Sequence, residues 1–194
     1  MSAEIDKTIK IQGLIRGLLL GAILTVISIG YFYFMIGVAS AVAITVGSML
    51  FTYILPIAVA ALFCLGLRKK IGGFWTLRQA ATGIFIMFVI SYLTIFIARD
   101  QVFARVIEPN MVEKTKTAMI SALNKLKDAT TKPDEKKAAD AKILEMRKGF
   151  DSDKNVSIGQ QIQGFGVTII FLFVLAIAFA AFFKREPPGY VAGN

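Results

Sequence analysis

GLLLGAILTVISIGYFYFMIGVASAVAITVGSMLFTYILPIAVAALFCLGL, Gly17 to Leu67, contains no Asp, Glu, Lys or Arg. A helix crossing roughly 30 Å of hydrocarbon needs about 20 apolar residues, so this stretch has room for two crossings. Two further uncharged stretches, Gln79 to Ala98 and Asn155 to Phe183, each have room for one more. The pattern predicts an all-α integral membrane four-helix bundle, treated as one membrane domain over residues 1–194, with spans at about 14–36, 43–67, 77–98 and 158–183. Between spans three and four lies a polar insert, residues 99–154, expected outside the membrane as a helical hairpin.

The chain has 194 residues, is 56% hydrophobic and carries a net charge of +9. Its basic residues sit at span ends and through the insert rather than in a nucleic-acid-binding motif, so nucleic acid is not expected as a partner. With no histidine, imidazole catalysis and histidine metal sites are excluded. Cys64 is the single thiol, which excludes an intrachain disulfide, and its apolar setting predicts a packing residue. No span carries a central charge of the kind that marks a proton relay. The expectation is a non-enzyme with no catalytic residues, no metal and no cofactor. The basic start and the Ala39-Ser40-Ala41 triplet mimic a signal peptide, but the first apolar run is as long as a full span, which predicts an uncleaved anchor.

Lys7, Lys10 and Arg16 precede the first span, the link to the second is uncharged, and Arg68-Lys69-Lys70 follows the second. The positive-inside rule then places both termini in the cytoplasm and the insert outside. For a bacterial inner membrane, outside is the periplasm. Arg16, Arg68, Lys69 and Lys70 are the expected membrane-surface residues. They either extend to the interface or attract anionic headgroups.

Three local features are candidates for function. Gly13, Gly17 and Gly21 repeat every fourth residue, a small-residue face for close helix packing, against either another span of this chain or a partner. Pro56 interrupts the second span and predicts a kink near Thr52, either a hinge or a tolerated packing feature. Gln160, Gln161 and Gln163, among Gly159, Gly164 and Gly166, open the fourth span with amides that either line a polar cavity, bond across helices or sit solvated at the interface.

In the insert, Val112, Met119, Leu123 and Leu126 share one helical face over Asn110 to Ala129, and Ala139, Ile143, Met146 and Phe150 share another over Asp134 to Phe150. Thr131 with Asp134 forms a capping signature, Pro133 suits a first turn, and Gly149 is the expected terminator. The two stripes either cover each other and the end of the bundle, dock a partner protein, or meet the lipid surface.

Ile71-Gly72-Gly73-Phe74-Trp75-Thr76-Leu77, Val106-Ile107-Glu108-Pro109-Asn110 and Lys184-Arg185-Glu186-Pro187 fall in an order and spacing that resembles the four-span bacterial membrane proteins of domain-of-unknown-function family 4199. The resemblance spans nearly the whole chain and implies the same four-span fold. It also implies a partner, a glycosyltransferase of the polyprenyl-phosphate type often encoded beside family members, although no residue here carries that expectation. Where the family commonly has an acidic residue this chain has Gln79, which cannot exchange a proton as a carboxylate does.

The expectation is therefore a non-catalytic inner-membrane accessory or scaffold subunit. It would associate with the lipid bilayer and with another membrane protein or further copies of itself. The alternative is a small carrier or channel made by oligomerising, with Pro56 and the glutamines as moving and lining parts.

Overall fold

A computed structural model describes residues 2–38, 40–153 and 158–185. Among these the fold is all-α, with α1 at Ser2–Val38, α2 at Ala41–Ser48, α3 at Leu55–Lys70, α4 at Leu77–Ile95, α5 at Met111–Ala129, α6 at Pro133–Asp153 and α7 at Ile158–Phe183. π-helical turns join α2 to α3 over Met49–Ile54 and extend α4 over Phe96–Ile107. Four helical stretches are long and apolar enough to cross a membrane: Glu4–Val38, Val42–Lys70, Leu77–Ile107 and Gln163–Phe183. The spans are inside-out relative to a water-soluble bundle, since Leu18, Leu19, Val26, Leu62 and Ile170 are exposed, as expected where lipid is the solvent.

Three boundaries differ from the sequence expectation. The third span does not stop at Arg99-Asp100 but continues as π-helix to Ile107; the Arg99 and Asp100 side chains are both more than a third exposed, so charge there need not end the helix. Gly149 does not end α6, which runs to Asp153. One glycine in a helix interior costs about 1 kcal/mol relative to Ala, too little to stop a helix by itself. In the loop before α6 the hydroxyl that bonds is that of Thr130, which donates to Glu135, rather than Thr131 capping Asp134.

The chain divides into two compact units. The first comprises residues 2–25, 56–97 and 163–185. Its core brings together all four spans: Leu20 from α1, Ala60, Cys64 and Leu67 from α3, Ala80, Ile84 and Met87 from α4, and Ala176 and Ala180 from α7. Edge-to-face ring pairs Phe85–Phe173 and Phe88–Phe179 tie α4 to α7, and such pairs add about 0.5–1.5 kcal/mol each beyond burial. After α3 the chain turns through Gly72 and Gly73, with φ of 100° and 83°. Both lie in a region that side chains with a Cβ rarely enter. The turn closes when the Gly73 amide donates to the Arg68 carbonyl at 2.9 Å.

That turn delivers Trp75, 1% exposed, to the end of α7. Its indole Nε1 donates to the Phe183 carbonyl at 2.8 Å, and its backbone amide donates to the Arg185 carbonyl, also at 2.8 Å. The last carbonyls of a helix have no partner within it, so the indole supplies the missing donor. Thr76 then starts α4 with a capping box, its hydroxyl accepting from the Gln79 amide at 3.3 Å while Gln79 Oε1 accepts from the Thr76 amide at 3.1 Å.

The second unit comprises residues 26–55 and 98–162, as far as they are described. Two clusters hold it. Tyr31, Phe34 and Phe51 stack, and Phe32 and Tyr33 meet Phe103 edge to face. Met35, Ile44, Ala118 and Ala122 form a small core flanked by Tyr31, Ile36 and Met119. Lys127–Asp140 at 2.5 Å joins α5 to α6 near the hairpin's tip, and Lys132–Glu135 at 2.8 Å is a local pair at the start of α6. Lys132 and then Thr130, bonding the Glu135 carboxylate, hold its pKa below the usual glutamate value.

Candidate functional site

The tandem glycines of α1 lie against α4, within the first unit. A Cβ on Gly13 would stand 3.0 Å from the Gly83 carbonyl oxygen, one on Gly17 2.8 Å from that of Met87, and one on Gly21 2.8 Å from that of Ser91. Real Cβ atoms essentially never approach as closely as those on Gly17 and Gly21 would, so only glycine permits the spacing there, while at Gly13 the contact would be tight and the neighbour would have to shift. Thr25, also on this side of α1, is buried and turns its hydroxyl to the Gly21 carbonyl at 2.8 Å, satisfying itself within the helix. The face is a helix contact built within the chain.

Arg16 does not simply extend away from the bundle. Its guanidinium lies across Gly66 of α3, where a Cβ would be 3.1 Å from Arg16 Cζ, and its Nε is buried with no hydrogen-bond partner among the described residues. Arg68 is half-buried and donates to the Phe183 carbonyl at 3.5 Å, while Lys69 and Lys70 are exposed. The four basic residues thus divide into two that brace helices and two that face outward.

Pro56 follows the π-helical turns Met49–Ile54 by two residues. Proline offers no amide to the carbonyl four residues earlier and its ring crowds that carbonyl, so the hydrogen-bond register opens just N-terminal to it. Gln163 is exposed and, among the described residues, nothing lies within 4 Å of a Cβ on Gly164 or Gly166, so the glycine positions here are open, while Phe165 between them meets the ring of Tyr92 at 5.6 Å. The side chains of Gln160 and Gln161 lie outside the described residues.

On the hairpin, the expected apolar face is split. Ala139 and Ile143 of α6 are buried, Met119, Leu123 and Met146 are partly covered, and Val112 and Leu126 are 53% and 48% exposed. The seam of α5 runs instead through Ala118 and Ala122, buried against Met35 and Ile44. A search for large apolar side chains misses these alanines; their spacing of four on the face beside Met119 is the signal that would have found them. Trp75 was also missed as a structural donor, although the single tryptophan of a membrane chain, placed between a Gly-Gly turn and a helix cap, marks a buried indole needing an acceptor.

Four long apolar helices, a glycine seam and a helical hairpin define a multi-pass membrane protein of the four-span class. The family model described as Protein of unknown function (DUF4199) matches residues 15–185, and the chain belongs to that family. No curated protein and no solved structure matches it.

Proposed function

We propose that the chain is a non-catalytic accessory or scaffold subunit of a bacterial inner membrane. In this reading both termini are cytoplasmic and the α5–α6 hairpin is periplasmic, where it docks a second membrane protein. The observation that carries the reading is the build of the hairpin. Its two helices are joined near the tip by the Lys127–Asp140 pair and it is seated through Ala118 and Ala122, yet it leaves Val112, Leu126 and Leu144 more than two-fifths exposed, the last at 55%. Apolar side chains held on an already folded helical hairpin suit a protein contact, because the backbone need not be ordered on binding. The basic residues before the first span and after the second support the stated orientation.

Purification from native membranes in a mild detergent is the test. A second protein recovered in stoichiometric amount, and lost from Val112→Asp/Leu126→Asp, is the expected result. Recovery as a lone species or only as a homo-oligomer overturns the subunit reading.

A further inference from the structure

At the start of α4 a polar cavity of about 410 Å³ opens between α4 and the first turns of α1, lined among others by Asp6, Lys10, Thr76, Arg78 and Gln79. Lys10 and Arg78 are both exposed and make no ion pair among the described residues, so the cavity's described lining sets two cations against one carboxylate, Asp6. Thr76 and Gln79 Oε1 are engaged in the capping box, which leaves the Gln79 amide nitrogen as a further donor.

Two apolar grooves lead away from this cavity. One, about 430 Å³, begins at Lys10 and runs past Leu14, Ile86 and Ile90 to Ile169. The other, about 440 Å³, begins at Arg78 and Thr82 and runs past Ala81 to Phe173 and Ile177. Phe85 lines both, standing between them with its ring 5.5 Å from that of Phe173. Each groove thus shares a cationic residue with the polar cavity and then continues along membrane-spanning helix.

From this geometry we propose a binding site for a two-chain anionic phospholipid. The phosphate sits between Lys10 and Arg78, the Gln79 amide donates to a headgroup oxygen, and the two acyl chains lie on opposite sides of Phe85. Guanidinium and ammonium groups are the usual phosphate partners, the former by paired donors. A zwitterionic lipid brings its own cation to the same place and is disfavoured. A single-chain amphiphile leaves one groove unfilled. The site lies wholly within the four-span unit and is independent of what the hairpin docks.

Native mass spectrometry of the full chain, released from detergent after incubation with defined lipids, tests the site. At equal concentration and equal acyl chains, phosphatidylglycerol is expected to be retained about fivefold over phosphatidylcholine, the effect of two interfacial cations partly offset by the Asp6 carboxylate. Gln79→Glu keeps the capping box, which glutamate serves as well, but adds a carboxylate to the cavity, and it should bring the two lipids to within about twofold. Lys10→Gln/Arg78→Gln should do the same. Lysophosphatidylglycerol should be retained several-fold less than the two-chain lipid, and Ile177→Trp, which fills one groove, should remove that difference.

Equal retention of phosphatidylglycerol and phosphatidylcholine by the unaltered chain overturns the proposal, as does an undiminished preference in Gln79→Glu and in the double variant. Displacement of the lipid by millimolar inorganic phosphate would identify a free-phosphate site instead, and equal retention of the single-chain lipid would remove the assignment of the grooves.

Discussion

In the first unit Gly13, Gly17 and Gly21 bring α1 onto the backbone of α4, whereas in the second Ala118 and Ala122 of α5 lie beneath the side chains of Met35 and Ile44. The two seams use small residues differently. Where lipid is as apolar as leucine, burying leucine gains little, and helices associate by approaching until backbone meets backbone. Only the absence of a Cβ allows that. Where the hairpin is polar on its outer faces, a methyl is wanted at the seam because side-chain contact and exclusion of water hold it. A glycine seam therefore has no tolerance for added volume, and an alanine seam has some.

The comparison is broken most severely at Trp75. Trp75→Ala removes a fully buried side chain and the donor to the end of α7, and should cost about 3–5 kcal/mol. Hydrogen exchange should rise in α7 and α4 and stay unchanged in α5 and α6. Protection lost equally in both units would show that the two are not separately held.

Gly21→Ile comes next. With the Ser91 carbonyl 2.8 Å from the new Cβ and Thr94 closer still, the helices must part, at about 3 kcal/mol. A lowered midpoint in detergent unfolding, with the hairpin's exchange unaffected, is the expected outcome. Ala122→Leu sharpens the contrast from the other side: the same kind of overpacking should cost about 2 kcal/mol and raise exchange in α5 alone. If it proves as damaging as Gly21→Ile, the distinction between backbone and side-chain seams fails.

The smallest effect is electrostatic. Because Lys132 and Thr130 lower the Glu135 pKa in the fold, its contribution is present above the ordinary glutamate value and is lost as pH falls through the lowered folded value. Acidification should loosen the hairpin tip slightly, measured as exchange at the start of α6, and Glu135→Gln should abolish that pH dependence. The group is exposed, so the change should be small and further reduced by salt.

Much of this was legible before the structure. Uncharged length alone locates the spans, because the cost of a stranded ion in hydrocarbon is large enough to exclude charge from the middle of every crossing. The four-residue glycine repeat identifies a packing face, since helix periodicity puts Gly13, Gly17 and Gly21 in one line. The face's partner, α4, was not legible. Helix pairing is settled by matching surfaces across long sequence separation, and neither Ser91 nor Met87 carries a local mark of it.

The bond from Trp75 to Phe183 was hidden for the same reason. The helical run on to Ile107 was hidden by its charges: Arg99, Asp100 and Arg105 resemble a stop, yet the chain stays helical through them. For the lipid cavity the residues were visible singly, but nothing in the order of Lys10, Arg78 and Ile177 says that a headgroup pocket and two troughs converge on them.

The wide turns at Met49–Ile54 and Phe96–Ile107 also bear on how the chain tolerates changes of length. An ordinary helix advances about 100° per residue, so deleting one residue swings everything beyond it to a new azimuth. A turn of the looser kind already holds surplus chain and can tighten to absorb a deletion. Shortening by one residue within Met49–Ile54 should therefore leave Ala60, Cys64 and Leu67 aimed at the same neighbours, while the same excision two turns into α3 would rotate whatever follows it out of register.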